Sequence, residues 1–183
     1  REPDFIGGWN NSLTYKNWDL SFLFVFRKAG DVYNASEYLM TTYGTSKQTA
    51  NRGETIQFTG MALNPDTKQY EAVTRDVVAS EAYYKDVYAK HTPHFIEKVN
   101  WFRLRSVNLS YSLPKDVLAK SKFIKGATFN AMGTNLWLLT NYSGVDPETS
   151  AAGAGVVGSG SVGIDYAGVP ATAGFTFGVN LKF

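Results

Sequence analysis

Two-residue alternation of apolar and polar side chains, repeated in five separate stretches, constrains this chain more than any other feature. Successive side chains on a β-strand point to opposite faces, so the pattern specifies strands with one apolar and one polar side. The last stretch is the most regular, with Phe175, Phe177, Val179, Leu181 and Phe183 on one parity and Thr176, Gly178, Asn180 and Lys182 on the other. Near the start, Phe5, Gly7, Trp9, Asn11, Leu13 and Tyr15 alternate with Asn10, Ser12 and Thr14. Trp18, Leu20, Phe22, Phe24 and Phe26 then alternate against Asp19, Ser21 and Arg27. The Lys16-Asn17 link reads as a two-residue hairpin, Asn being a residue that tolerates positive φ. In the third stretch Phe102 and Leu104 share one parity while Val107, Leu109, Tyr111 and Leu113 share the other, which predicts a β-bulge near Arg105-Ser106. The fourth sets Ala127, Phe129, Ala131 and Gly133 against Thr128, Asn130 and Thr134.

The pattern places strands at about 4–15, 18–27, 96–113, 126–140 and 173–183, with ends read to within a few residues. The links between them alternate in length: two residues, about seventy, about eleven, about thirty. Short turns on one side and long loops on the other are the habit of outer-membrane β-barrels, whose periplasmic turns are short and extracellular loops long. A soluble sandwich has no reason to sort its loops this way. The fold class expected is therefore all-β, with antiparallel transmembrane strands and with short helices in the extracellular loops at about 28–95 and 141–172. One face would meet lipid, including Phe175, Phe177, Val179, Leu181 and Phe183, and the other a wet lumen. Tyr15, Trp18, Tyr111 and Phe183 fall at the short-turn end, as a periplasmic aromatic girdle requires. Bacterial barrels have an even number of strands, no fewer than about eight, and lipid tolerates no open sheet edge. Five strands are then the C-terminal part of a larger barrel, whose remaining strands lie elsewhere.

Composition supports this and removes other classes. With 18 basic and 16 acidic residues the net charge is +2, which is no argument for nucleic acid. The longest apolar run, Phe22 to Phe26, is far short of the roughly 20 residues of a spanning helix. Without cysteine there is neither a disulfide framework nor a thiolate metal site. The 12 Phe, 11 Tyr, 4 Trp and 17 Gly favour β structure. The chain starts at Arg1 with no initiator Met, charged n-region or apolar h-region, and reads as a mature piece of something larger.

The first long loop carries a possible helix in AGDVYNASEYLMTTYG, a hairpin at MALNPDTKQYEAV and a second helical stretch at SEAYYKDVYAKH. Its aromatic content marks it as folded. No nucleophile is paired with a histidine and no Gly-x-Ser-x-Gly elbow occurs, so no enzyme activity is expected. The run GAGVVGSGSVG lacks the Gly-Lys-Ser/Thr ending of a phosphate loop and reads as flexible surface. His91 and His94 lack a third ligand at convincing spacing and read as exposed loop histidines. Asp146, Glu148 and Asp165 are oxygen donors of the kind calcium takes, the one cofactor candidate, but turn formation and loop solvation are the favoured reading. Two readings stay open for Arg103 and Arg105: contact with lumen or ligand, shared with Trp101, or a salt bridge to a neighbouring strand.

The stretches DFIGGWNNSLTYKNWDLSFLF, GDVYN, WFRLRSVNLSYSLP, GTNLWLLTNYSGVDPETS, GIDYAGVP and FTFGVNLKF, in this order, resemble the C-terminal end of a SusC/RagA-type TonB-dependent outer-membrane transporter of Bacteroidota. The resemblance covers nearly the whole chain and is weakest between about Thr41 and Tyr83. It implies a barrel of about 22 strands, closed by an N-terminal plug and covered by a SusD-like surface lipoprotein. Transport would be driven by the TonB complex acting through the N-terminal part, with an oligosaccharide (glycan) or peptide as cargo. It also implies that the barrel-assembly machinery recognises the terminal aromatic strand. Plug, TonB-contacting segment and signal peptide have no counterpart in these residues, so in isolation they should transport nothing. Two other readings compete: a structural or adhesive outer-membrane barrel without TonB coupling, and a soluble β-rich carbohydrate-binding module.

Overall fold

The structure, a computed structural model, describes residues 2–119, 121, 123–149 and 163–183. Most of the Gly-rich run, residues 153–162, lies outside the described residues. The chain divides into two compact units, Arg1–Tyr33 with Glu97–Phe183, and Asn34–Ile96.

The first unit is built on a five-stranded antiparallel sheet. Its strands are β1 (Phe5–Tyr15), β2 (Trp18–Lys28), β7 (Trp101–Ser112), β8 (Gly126–Thr140) and β10 (Gly174–Lys182), in that spatial order. Every neighbouring pair in this wall is consecutive among the five long strands, an up-and-down meander. The β1–β2 turn is the two-residue hairpin expected from Lys16-Asn17, but Lys16 rather than Asn17 takes the positive φ, at 55°. Asn17 instead donates from Nδ2 to the Ser112 carbonyl at 2.8 Å and accepts the Ser112 N–H at 2.9 Å, tying the hairpin to the end of β7. Pro114, which has no N–H for a ladder, follows β7, and the one-turn helix α2 (Lys115–Leu118) leads toward β8.

The parity switch in β7 is a bulge at Arg105. Against β2, Leu23 pairs with Ser106 and Phe24 with Leu104, so Arg105 is skipped. Against β8, Leu104 pairs with Trp137 and Ser106 with Thr134, a second irregularity that Asn135 absorbs at φ 51°. The extra residue returns Val107, Leu109 and Tyr111 to the face that holds Phe102 and Leu104.

Residues 96–113 are not one strand, as their alternation had implied. Ile96–Lys98 forms β6, which joins β3 (Asp31–Asn34) and β9 (Ile164–Asp165) in a separate three-stranded sheet. The break comes at Val99 and Asn100, where the side chain of Asn100 accepts the Ala29 N–H at 2.9 Å and its carbonyl accepts the Thr140 hydroxyl at 2.9 Å. Val32, Val99, Trp101 and Tyr142 make a small core beside this sheet, with Val25 and Leu138 packed against it. Strands of two to four residues carry too few alternations to be told from loop.

The second unit holds helix α1 (Ala35–Thr42), capped by Asn34 Oδ1 accepting from Glu37 N at 2.9 Å. The hairpin of β4 (Thr55–Leu63) and β5 (Tyr70–Val78) turns at Asn64, whose Oδ1 accepts from Asp66 N at 2.9 Å. A π-helical turn, Tyr83–Tyr88, and a 3-10 turn, Thr92–Phe95, follow. Tyr84 anchors the π turn from its buried position, donating to the Gln48 carbonyl at 3.2 Å and to Asn51.

Candidate functional site: a two-faced wall with a strapped rim

The register sorts side chains across all five long strands at once. Paired residues in an antiparallel ladder share a face. One row therefore runs Tyr15, Trp18, Tyr111, Phe129, Val179, and the next of the same parity runs Leu13, Leu20, Leu109, Ala131, Phe177. Toward the other end the same face holds Trp9, Phe24, Leu104 and Trp137, then Phe26, Phe102 and Leu139. Aromatic rings lock it together. Trp9 stacks on Phe24 at 5.9 Å, Phe24 on Phe102 at 4.9 Å, and Phe102 meets Trp137 edge-on at 5.9 Å, a chain spanning four strands. Each such pair contributes about 0.5–1.5 kcal/mol beyond its area.

This face is open. Phe175, Phe177, Val179, Leu181 and Phe183 are all exposed, Phe177 at 79%. A contiguous apolar surface of this kind is foreign to water-facing protein and needs an apolar medium or partner. Tyr15, Trp18 and Tyr111 sit together at the hairpin end, with Trp18 and Tyr111 ring centroids 4.4 Å apart, and Phe183 follows β10 at the same end.

The opposite face carries Ser12, Thr14, Asp19, Ser21, Asn108, Ser110, Ser112, Thr128, Asn130, Thr176, Asn180 and Lys182. Its side chains bond across strands: Thr14 Oγ1 donates to Asp19 at 2.6 Å, Ser110 Oγ to Asn130 at 2.8 Å, and Ser112 and Thr128 hydroxyls pair at 3.1 Å. A face whose polar groups satisfy one another and remain open to water suits an aqueous compartment.

At the end of the polar face away from the hairpin, Arg103 lies at 2% exposure. Its Nη2 donates to Asp146 Oδ1 at 2.5 Å, and its Nε stands 2.7 Å from Glu148 Oε2 in an ionic contact whose N–H is not aimed at the oxygen. Arg105 Nη2 donates to Glu148 Oε1 at 2.6 Å. The salt-bridge reading of the arginines is thus the one realised, with partners from the segment after β8 rather than from a neighbouring strand. Asp146 also accepts Glu148 N at 3.0 Å on Oδ1 and Ala171 N at 3.0 Å on Oδ2, so one carboxylate joins the wall to both ends of the β8–β10 connection.

A second strap lies beside it. Tyr142 Oη donates to Asp165 Oδ2 at 2.7 Å, both residues buried. Burial, then the Asp165 hydrogen bond and the Asp165 and Glu97 charges, hold the Tyr142 phenol well above its ordinary pKa. Glu97 accepts Ser143 N at 2.9 Å and Ser143 Oγ at 2.5 Å. Asn141 closes the set, accepting Asn100 N at 2.7 Å and donating to the Lys98 carbonyl at 2.8 Å.

The same contacts show where the remaining sequence candidates lie. Asp146 and Glu148 face guanidinium groups and Asp165 a phenol, and among the described residues no group of three or more His, Asp or Glu is placed to hold a metal ion. Trp101, at 6% exposure, packs in the Val32 core with its Nε1 buried and unpartnered. Of the three residues considered for ligand contact, Arg105 keeps the most exposed side chain, 34% against 3% for Arg103. Sequence reasoning missed the Arg–Asp–Glu pairing because its members lie some forty positions apart in the chain.

Comparison with known proteins agrees with this geometry. No family model matches the chain. It is 31% identical over 183 residues to TonB-dependent receptor P26 of Formosa agariphila and 28% identical over 182 residues to TonB-dependent receptor P3 of the same organism. In each case nearly all of this chain, 99%, aligns with 17% and 16% of the relative, so the chain spans about one sixth of the curated relatives it matches. The fold matches part of the RagAB peptide importer in its closed-closed state at a TM-score of 0.65, with 20% identity over 100% of this chain and 17% of that one. The RagAB peptide transporter matches at 0.64 with 21% identity, over 99% of this chain and 17% of that one. The five-stranded antiparallel wall is thus a portion of a RagA-like barrel, and the resemblance to TonB-dependent receptors of the SusC/RagA type holds over the length of the chain.

Proposed function

We propose that a chain aligning end to end with part of the TonB-dependent receptors forms barrel wall and loop-side rim of an outer-membrane nutrient importer. The single observation that carries this is the five-strand wall with one continuous apolar face and one hydrogen-bonded polar face, in a fold shared with part of a peptide importer. In this reading the apolar face meets lipid, the polar face lines the lumen, and the wall is the C-terminal part of a larger barrel.

Tyr15, Trp18, Tyr111 and Phe183 then form the periplasmic girdle, where aromatic rings sit at headgroup level. The long segments at about 28–95 and 141–172 become extracellular, and the Arg103–Asp146 straps hold the second of them against the rim. In this reading Arg105, paired with Glu148 yet 34% exposed at its side chain, is the arginine we assign to cargo contact. The solved RagAB assembly is named a peptide importer, and its two-component form is the reason for proposing a SusD-like surface lipoprotein as partner here, with a peptide or oligosaccharide as cargo and TonB as the energy source.

The test is uptake by cells. Cells carrying the full-length protein and its lipoprotein partner are supplied with labelled peptides and oligosaccharides, with and without TonB. Uptake that requires both the protein and TonB is expected. Outer-membrane insertion with no change in uptake on deletion would favour the structural or adhesive barrel instead, and recovery of the full-length protein in the soluble fraction would remove both.

A further inference from the structure

The apolar face of the wall ends in a groove at the side away from the hairpin. The groove, about 690 Å³, has an almost wholly apolar surface and lies within the unit that carries the wall. Its size falls in the roughly 300–1,000 Å³ range of small-molecule sites. Phe26, Phe102 and Leu139 line it as one paired row across β2, β7 and β8, and Lys28, Asn100 and Asn141 line it where those strands end. Gly7 pairs with Phe26, and the Phe26 ring lies over the glycine so closely that a Cβ there would stand 2.6 Å from Cζ. The ring is drawn toward β1, and Leu139, in the same row, is left 59% exposed.

The polar end of the groove is tied down. Asn100 Oδ1 accepts the Ala29 N–H at 2.9 Å, Asn141 Oδ1 accepts the Asn100 N–H at 2.7 Å, and Asn141 Nδ2 donates to the Lys98 carbonyl at 2.8 Å. The ends of β2, β7 and β8 are thereby joined around it, so little ordering is left for a ligand to impose. Lys28 is the exposed cation here. It shares the parity of Phe24 and Phe26, which puts it on the apolar face, and among the described residues its ammonium has no salt-bridge partner. A lysine in this position lays its stem on apolar surface and holds its ammonium at the polar boundary. An apolar groove that ends at such an ammonium is complementary to a ligand with an acyl chain and an anionic head.

The place of the groove in the wall selects the lipid. With the hairpin end periplasmic, the groove opens in the outer leaflet, which in an outer membrane is built of phosphorylated acyl glycolipid rather than phospholipid. We propose that the groove holds one acyl chain of that glycolipid, lipid A, with its phosphate against Lys28. The proposal rests on the membrane reading above.

The test uses the full-length protein, extracted gently from outer membranes and examined by native mass spectrometry, then stripped of lipid and titrated with lipid A. Leu139→Trp fills the groove without altering charge and should lose a co-purified lipid A that wild type keeps. In the titration, wild type should bind lipid A about fivefold more tightly than lipid A freed of its phosphates. Lys28→Gln should erase that difference, and Lys16→Gln, which removes a charge at the hairpin end, should preserve it. Equal co-purified lipid A in wild type and Leu139→Trp, or loss of a phospholipid in its place, would overturn the site or its ligand. A phosphate preference unchanged in Lys28→Gln would overturn the role of Lys28. Wild type present in outer membranes in heat-modifiable form separates these outcomes from failure of the membrane reading, which would show as its absence there.

Discussion

Arg103 on β7 and Asp146 in the segment after β8 form an ion pair at 2.5 Å in which both side chains are buried, at 3% and 5% exposure. Burying two charges is repaid only when geometry and additional hydrogen bonds are good, and breaking such a pair by removing one partner costs about 3–5 kcal/mol. Arg103→Ala leaves Asp146 facing a void and deprives Glu148 of one of its two cations. The expected outcome is a loss of about 3–5 kcal/mol in urea unfolding of the full-length protein. Arg105→Ala, which removes a more exposed partner, should cost about 1 kcal/mol or less. Equal losses for the two variants would mean that burial of Arg103 is not what gives the pair its weight.

Tyr142 and Asp165 predict a loss of stability on the alkaline side, because folding raises the phenol's pKa. The phenol is raised above its unfolded pKa of about 10, so its stabilising effect is complete below about pH 10 and is lost as pH climbs toward the folded value. Tyr142→Phe should lower stability at neutral pH by about 1–3 kcal/mol, since a buried carboxylate loses a donor. It should also flatten the decline of stability on the alkaline side. Unfolding midpoints compared from pH 8 to beyond about pH 10 check both, and parallel curves for wild type and variant would assign the alkaline decline to other groups.

How far these relationships could be read in advance depended on how local they are. Alternation is local, and it revealed the five long strands, the bulge at Arg105 and the hairpin at Lys16-Asn17. Helix α1 was legible in part: the stretch AGDVYNASEYLMTTYG suggested a helix, but within it Asp31–Asn34 form β3 and only Ala35–Thr42 are helical. The short sheet of β3, β6 and β9 was not, since its strands find one another only after the long loops close. Arg103 and Arg105 were recognisable as charges that needed partners, but the identity of those partners is a property of the closed β8–β10 connection.

The hairpin at the aromatic end carries a prediction of its own. Lys16 sits at φ 55°, a conformation that costs an L-residue roughly 1–2 kcal/mol and glycine nothing. Lys16→Gly should therefore stabilise the folded protein by up to about 1 kcal/mol, the gain being reduced by the greater freedom of glycine in the unfolded chain. Lys16→Pro, which cannot reach positive φ, should lower the yield of folded protein instead. A destabilised Lys16→Gly variant would show that the contact of Lys16 Nζ with the Tyr15 ring, at 5.3 Å from its centroid, outweighs the backbone term.

The two faces of β10 provide the sharpest test of the proposed orientation. Phe177 belongs to the apolar row with Ala131 and Leu109, and Thr176 to the polar face beside Met132 and Asn108. Both are exposed, so neither substitution opens a cavity, and both residues lie inside the register paired with β8. If the apolar face meets hydrocarbon, Phe177→Arg carries a depth-dependent penalty of about 2–4 kcal/mol near the bilayer midplane. Thr176→Arg places the same charge in water and should cost only a few tenths of a kcal/mol. The amount of heat-modifiable full-length protein in outer membranes should thus fall sharply for Phe177→Arg and hold near wild type for Thr176→Arg. Phe183→Asp, at the girdle, should reduce insertion as well, since the terminal aromatic then no longer anchors at the interface. The reverse order for the two arginine variants would exchange the inside and outside of the wall, and equal insertion of both would remove the bilayer from the account of this face.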